Sequence, residues 1–494
     1  PGREVRQAMK DDANVGMSTG PYFVVWLIIA TASAAVHAEG AQVRFFDFEP
    51  RISVSETYSD GGTGFGRSSD GLTTSVDPGF KLIRQGARVK TDINYSLNNI
   101  YYHNDSDMDL RHQFGGTVLG ELVQNQLFID SSFRKRDQII SPLGTSNIDS
   151  GLQRDNLTSS TSWSIGPRWE RRFGDVASST LEYQVDRVLF SGDAADDSWG
   201  STLTGVLNSG QLFGDWFWSA DYSKSDIRYA EGGENSKFEM YSATLGYNLT
   251  RKLNVYYTLG NEKNSFRDSV GDTGGSYWNV GVGFAPSART SLNGSFGKRF
   301  FGDTYSFSVA HQARKWNIAV SRSETITTTR QQQLGDIFLI CPPEIPDCTP
   351  EEAIAFGVDI GVRDGTYIQG SLTGSITYTL PKSAFTLSMF DQERTFQDGS
   401  GGNDETSGTT LGWNWRLGPK TNFNASTGWT RFRLLSTPVE EVDRWFLRTG
   451  VSRELSPELS GSLNYSYQKR SSDSVGSRGG GAGNTVSARL TKTF

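Results

Sequence analysis

The chain has 494 residues and a formal net charge of -7 at pH 7, and it is 36% hydrophobic and 12% aromatic. The negative charge argues against a nucleic-acid binder, because such proteins carry an excess of Lys and Arg that neutralises phosphates. Four scattered histidines and two cysteines without a second pair argue against a metal centre. We expect no metal-binding, cofactor-binding or catalytic residue and a protein that is not an enzyme.

Residues 1–38 are predicted to be a secretory signal peptide. Basic residues precede an apolar run at 21–30, and small residues follow up to Ala38, where we expect cleavage. A retained membrane anchor is the alternative. Export would place the rest of the chain in an oxidising compartment.

From residue 48 onward, segments of alternating polar and apolar residues recur along the chain. Val89, Ile93 and Leu97, for example, fall on one face, and Asp92 falls on the other. A strand with one face in lipid and one in water has this period of two. The pattern predicts that 39–494 is a single antiparallel outer-membrane β-barrel with about 22 strands, within a range of about 18 to 24. A soluble β-sandwich or propeller is the alternative.

The gaps between these segments are alternately short and long. The short gaps lie at 84–86, 123–125, 418–420 and 456–458. The long gaps are rich in Asp, Gly, Ser and Asn, and lie at 59–71, 137–156, 225–237, 262–274, 325–365, 396–406 and 471–483. Short periplasmic turns and long extracellular loops are typical of outer-membrane barrels.

The longest loop, 325–365, contains both cysteines. We expect a disulfide between Cys341 and Cys348, followed by a short helix that starts at 349–352 with a capping box and ends near Phe356. The helix is predicted to shield the barrel rim, and the alternative is that it folds into the lumen. This loop is also predicted to be the only segment that can narrow the pore.

Tryptophans are predicted to form two belts at the two membrane interfaces, as amphipathic rings do in a bilayer. The belt near the short turns comprises Trp169, Trp216, Trp316 and Trp415, and the belt near the long loops comprises Trp199, Trp278, Trp429 and Trp445.

The polar faces of the strands are predicted to line the lumen. Their charged residues are Asp92, Asp130, Arg134, Arg168, Glu170, Arg172, Asp186, Arg299, Arg448 and Arg489. A strongly ion-selective pore has rings of one charge. Neither sign dominates here, so the lumen suits neutral or weakly charged hydrophilic solutes.

The last strand places Val486, Leu490 and Phe494 on one face, and Lys492 departs from this pattern. A terminal aromatic on such a strand resembles the signal by which barrels are recognised for insertion. The predicted partners are therefore outer-membrane lipid and the barrel-assembly machinery, and the predicted location is the outer membrane.

Two stretches, 48–60 and 291–304, resemble an outer-membrane β-barrel family of Gram-negative bacteria. This family is found alongside PEP-CTERM/exosortase systems and includes porin-like barrels. Asn261 stands where that family would have Tyr in a Gly-Tyr-Glu motif. The resemblance covers 41–494. It implies a role in exopolysaccharide production or surface-protein sorting, with polysaccharide-export components as partners, and it implies no catalytic residue.

These observations favour a non-enzymatic porin-like conduit or assembly component. One alternative is a closed barrel whose loops bind glycan or a partner protein at the surface. Another is a membrane-embedded hydrolase that uses His112 or His311, although neither has a Ser partner at strand spacing. A hydrolase would need a nucleophile, a base and an orienting group close together.

Overall fold

The computed structural model describes residues 46–61, 70–145, 147, 152, 154–192, 194–230, 235–266, 273–334, 361–363, 365–397, 402–472 and 480–494. Most of these residues lie in one antiparallel sheet of 22 strands. The first strand pairs with the last, with Val54 opposite Leu490, so the sheet closes into a barrel. The predicted fold class and strand number are confirmed.

The strands follow one another around the barrel in chain order. They are β1 Asp47–Asp60, β2 Asp70–Gln85, β3 Val89–Tyr102, β4 Asp107–Val123, β5 Leu127–Ile139, β6 Leu157–Phe173, β7 Ala177–Phe190, β8 Ser198–Ser209, β9 Trp216–Tyr229, β10 Ser236–Thr250, β11 Leu253–Ser265, β12 Gly274–Ser287, β13 Thr290–Arg299, β14 Gly302–Gln312, β15 Trp316–Thr328, β16 Thr366–Leu380, β17 Ser383–Phe396, β18 Asn403–Gly418, β19 Thr421–Leu435, β20 Glu440–Ser456, β21 Leu459–Ser472 and β22 Gly481–Thr493.

Alternation of side chains explains why these segments pair as strands. In β1, Ser55 and Thr57 are buried on one face, whereas Val54 and Tyr58 are exposed on the other. Because each neighbouring strand is in register with the last, apolar residues collect on the outside of the barrel and polar residues on the inside.

The two ends of the barrel differ in the length of their connections. At one end, which we call the short-turn end, β10 and β11 are joined by 251–252 and β18 and β19 by 419–420. At the other, which we call the long-loop end, β5 and β6 are joined by 140–156 and β15 and β16 by 329–365.

A short helix, α1 (Thr329–Leu334), follows β15 directly. The predicted loop 325–365 therefore began too early, because β15 continues to Thr328 in register with β16. No helix was predicted at α1. Residues 1–38 and the predicted disulfide and helix at 341–356 lie outside the described residues.

No helix in the described part of the chain is long and apolar enough to span a membrane.

Candidate functional site

The outer face of the barrel is a membrane surface. Large apolar side chains such as Val54, Tyr58, Val486 and Leu490 are exposed there, and comparable side chains recur on nearly every strand. A closed barrel with such an exterior buries it in lipid, and closure leaves no unpaired strand edge in the bilayer. The protein is located in the outer membrane. Its short-turn end faces the periplasm, and its long-loop end faces outward.

The eight belt tryptophans lie on strands that place them on this outer face. Trp216, Trp316 and Trp415 are exposed near the short-turn end, whereas Trp199 and Trp445 are exposed near the long-loop end. Trp169 lies near the short turn after β6, and Trp278 and Trp429 lie near the long loops.

The C-terminal Phe494, part of the predicted insertion signal, is also exposed. The ammonium of Lys492 lies 4.8 Å from its ring centroid.

The ten charged residues predicted to line the lumen all lie at inward-facing register positions. Near the short-turn end, the structure brings three of them together: Arg168 donates to Asp130 over 2.7 Å and also pairs with Glu170. Asp92, Arg172 and Arg489 are exposed to the lumen. This half of the lumen wall is accessible to water.

Inward-facing side chains nearer the long-loop end are buried instead. Ser59, Tyr102, Ile227, Tyr367 and Thr485 are all inaccessible or nearly so. They face the lumen, as do the exposed residues nearer the short-turn end. Segments folded into this half of the lumen must therefore cover them.

The helix α1 is one of those segments. The guanidinium of Arg330 forms an ion pair with Asp186 on β7, and the two side chains are 3% and 2% exposed. It also lies over Gly200 on β8, in the space that a Cβ would need. Burial lowers the pKa of Arg330 to about 10, which leaves the guanidinium charged at neutral pH. Arg330 thus fixes α1 to the β7–β8 wall.

Glutamines hold the other side of α1. Arg136 donates to the Gln333 side-chain oxygen over 2.8 Å, and Ser160 donates to the same atom over 3.2 Å. Gln332 donates to Gln369 on β16. The helix therefore connects the β5–β6 wall to β16, which lies far around the barrel.

A second segment, 141–145, also crosses this half of the lumen. The carbonyl of Pro142 accepts from Arg444 over 2.6 Å, and the carbonyl of Leu143 accepts from Arg470. Both arginines are on inward-facing positions of β20 and β21. The prediction that only 325–365 narrows the pore was wrong, because 141–145 leaves β5 toward the lumen rather than over the rim.

Two further ion pairs join strands of the wall, and the first of them is fully buried. Arg394 on β17 binds Asp404 on β18 through two hydrogen bonds of 2.7 and 2.8 Å. Glu262 on β11 accepts from Arg299 on β13 over 2.5 Å. Sequence reasoning found Arg299 and Asp186 but missed their partners, together with Arg394 and Asp404. Strand alternation places Glu262, Arg394 and Asp404 inward, so it could have identified them. Arg330 lies on α1 and carried no such signal.

The two histidines considered for hydrolysis lie on the outer face. His112 is hydrogen-bonded to the Tyr95 hydroxyl over 2.9 Å, and His311 to the Thr290 hydroxyl over 2.9 Å. Neither contact includes a carboxylate. No group of three or more His, Cys, Asp or Glu side chains in the described ranges is arranged to hold a metal ion.

No model of a known protein family matches the sequence, and no curated protein sequence matches it. Solved structures are similar in fold. A mutant of the ferric enterobactin receptor PfeA from Pseudomonas aeruginosa has 11% identity and a TM-score of 0.50, covering 91% of this chain and 80% of its own. The siderophore receptor PirA from Acinetobacter baumannii has 9% identity and a TM-score of 0.51, with coverages of 91% and 80%. The ferric-catecholate import receptor Fiu from E. coli K12 has 11% identity and a TM-score of 0.50, with coverages of 91% and 82%.

The fold is that of a 22-stranded outer-membrane barrel. At these identities the likeness concerns the fold alone. What the lumen does must be argued from its own residues.

Proposed function

We propose that the protein is a non-enzymatic, porin-like conduit for hydrophilic solutes, with its outer half narrowed by α1 and 141–145. The observation that carries this proposal is the contrast along the lumen wall. Inward-facing Asp92, Arg172 and Arg489 are exposed near the periplasm, whereas equivalent positions nearer the outside are buried under folded segments.

The lumen chemistry supports a weakly selective path. Several of the charged side chains pair with opposite charges, as Arg168 does with Asp130 and Arg299 with Glu262. Paired charges create little net field, so the wall favours neither cations nor anions. Polar, uncharged solutes, including glycan, fit such a wall.

The biological context that we propose is exopolysaccharide or surface-protein export of the PEP-CTERM/exosortase type. The sequence resemblance at 48–60 and 291–304 supports it. Polysaccharide-export components would then be partners at the periplasmic end, and the barrel-assembly machinery would be needed for insertion.

The second candidate function is a closed surface receptor or scaffold that binds glycan or a partner protein through its loops. The contacts that span the outer lumen, from Pro142 to Arg444 and from Gln332 to Gln369, favour it. The similar folds of siderophore receptors are consistent with a binding role.

Planar-bilayer recording separates the two functions. The refolded protein is compared with a variant in which 329–365 is replaced by a two-residue turn, which Thr328 and Thr366 can accept because they are paired in register. A conduit conducts, and the deletion raises its conductance. A scaffold with a permanently closed lumen shows no conductance in the full-length protein, and that result would overturn the proposal.

A further inference from the structure

Three aromatic side chains lie on the lumen wall formed by β9 to β12, and we call them the aromatic track: Phe217, Tyr256 and Tyr277. Each ring occupies the space above a glycine of the neighbouring strand that a Cβ would need. Phe217 covers Gly246, Tyr256 covers Gly281, and Tyr277 covers Gly260. The rings therefore lie across the wall rather than projecting into the lumen.

The register arranges the track in two rows. Phe217, Gly246, Tyr256 and Gly281 are successive cross-strand partners, so two rings lie in one row. They are two strands apart, which is roughly 10 Å. Tyr277 is four residues from Gly281 along β12, which places its ring roughly 13 Å nearer the outside. Two rings therefore lie side by side on the wall, and the ring of Tyr277 lies outward of them.

All three aromatic side chains are only partly buried. Packing over a glycine hides one side of each ring, and the exposed remainder faces the lumen. By contrast, Phe446 covers Gly428 on the opposite wall in the same way, but it is buried. Covering a glycine alone therefore does not explain the exposed surface of the track.

Hydroxyl and amide groups separate the two rows of rings. Thr244 and Thr258 are hydrogen-bonded to each other over 2.8 Å, and Asn279 donates to Ser295 over 3.2 Å. Arg299 lies beside Tyr277, with its guanidinium carbon 6.0 Å from the ring centroid, and its charge is balanced by Glu262. The wall combines aromatic surfaces with neutral hydrogen-bonding groups.

This combination matches the chemistry of a sugar. A pyranose ring has a face of C–H groups that packs on an aromatic surface and an edge of hydroxyls that pairs with amides and hydroxyls. A free fatty chain would displace water from these polar groups without offering them a hydrogen bond, and a strongly charged solute would find no opposite net charge.

We propose that the aromatic track is a binding path for a linear, neutral oligosaccharide or polysaccharide passing through the lumen. The inference rests on the proposed conduit function and specifies its substrate class. Rings about 10 Å apart in one row contact alternate sugar units of a chain, and the third ring continues the path outward.

Direct binding tests the track. Full-length protein is refolded in a detergent without a sugar head group, and maltohexaose and cellohexaose are titrated by saturation-transfer NMR. Wild type is expected to bind at least one hexasaccharide, and the triple variant F217L/Y256L/Y277L to bind it about tenfold more weakly. Leucine still covers each glycine, and Phe446→Leu is the matched control with unchanged binding.

Heat-modifiable migration on a gel reports whether each variant is folded. If the triple variant does not fold, Tyr256→Leu is compared with Tyr256→Phe, and only the loss of the ring should weaken binding.

Two results would overturn the proposal that the aromatic track binds sugar. One is equal binding by wild type and the variants that lack the rings, and the other is no binding of either hexasaccharide to wild type. Conductance without sugar binding contradicts the track but not the conduit, whereas sugar binding without conductance supports the track and contradicts the conduit.

Discussion

The two halves of the lumen have the same wall but different surroundings. The periplasmic pair Arg168 and Asp130 is 21% and 34% exposed, whereas the outer pair Arg394 and Asp404 is 2% exposed at each side chain. Both pairs sit on inward-facing strand positions and have similar distances. What differs is whether other parts of the chain cover them.

The difference changes what each charge does. A partly exposed pair exchanges its contact with water at little cost, so it contributes little to stability and mainly sets the local field. A buried pair cannot lose one partner without leaving a desolvated charge. The buried ion pairs of the outer half therefore hold its folded segments in place, whereas the periplasmic half of the lumen is filled with water.

Asp186→Asn should have the largest effect on this contrast. The substitution leaves Arg330 buried without a carboxylate, a change that costs about 3–5 kcal/mol when a buried pair is broken. We expect α1 to leave the β7–β8 wall and single-channel conductance to rise severalfold. Unchanged conductance in a folded variant would show that α1 does not narrow the path.

Arg394→Gln should destabilise the barrel without widening it. It leaves Asp404 buried, with Arg363 still 3.8 Å away, so we expect about 3 kcal/mol, at the low end of the cost of breaking a buried pair. The measurement is the denaturant concentration at which half of the protein loses the gel migration of the folded barrel. A midpoint equal to that of wild type would mean that this pair does not brace the outer half.

Gly200→Ala tests the contact between the Arg330 guanidinium and β8 without altering any charge. The added Cβ would overlap the guanidinium, and overpacking costs about 1–3 kcal/mol. We expect a moderate rise in conductance as α1 is displaced. Gly205→Ala on the same strand is the matched control, because its Cβ would meet only Leu181 at an ordinary 3.5 Å. Equal effects of the two variants would contradict the predicted contact.

Asp130→Asn should have the smallest effect. The pair with Arg168 is partly exposed, so its loss should cost no more than about 1 kcal/mol. Removing one negative charge from the wet wall should shift the reversal potential in a salt gradient slightly toward anion preference. A destabilisation as large as that of Arg394→Gln would remove the distinction between the two halves.

The barrel could be predicted from the sequence because its signal is local. Alternation within each strand, as at Val89 to Leu97, identifies both faces without knowledge of the rest of the chain. The pair Arg394 and Asp404 could also have been predicted, since the two residues face each other across one hairpin.

The filling of the outer lumen could not be predicted in the same way. The helix α1 has the sequence TRQQQL, which has no apolar periodicity because it packs against a polar wall. Its partner Asp186 is 144 residues away, and only closure of the barrel brings the two together. The contacts of 141–145 with Arg444 and Arg470 depend on closure for the same reason.

Thiol labelling tests the difference between the halves most directly. In a background with Cys341 and Cys348 replaced by Ser, Asn94→Cys reports on the exposed periplasmic wall and Ser162→Cys on the wall beneath Gln333. In nanodiscs, a hydrophilic maleimide should react rapidly at position 94 and slowly at 162, and adding Asp186→Asn should accelerate only the latter. Equal rates at both positions in the otherwise native barrel would contradict a lumen that is open on one side and filled on the other.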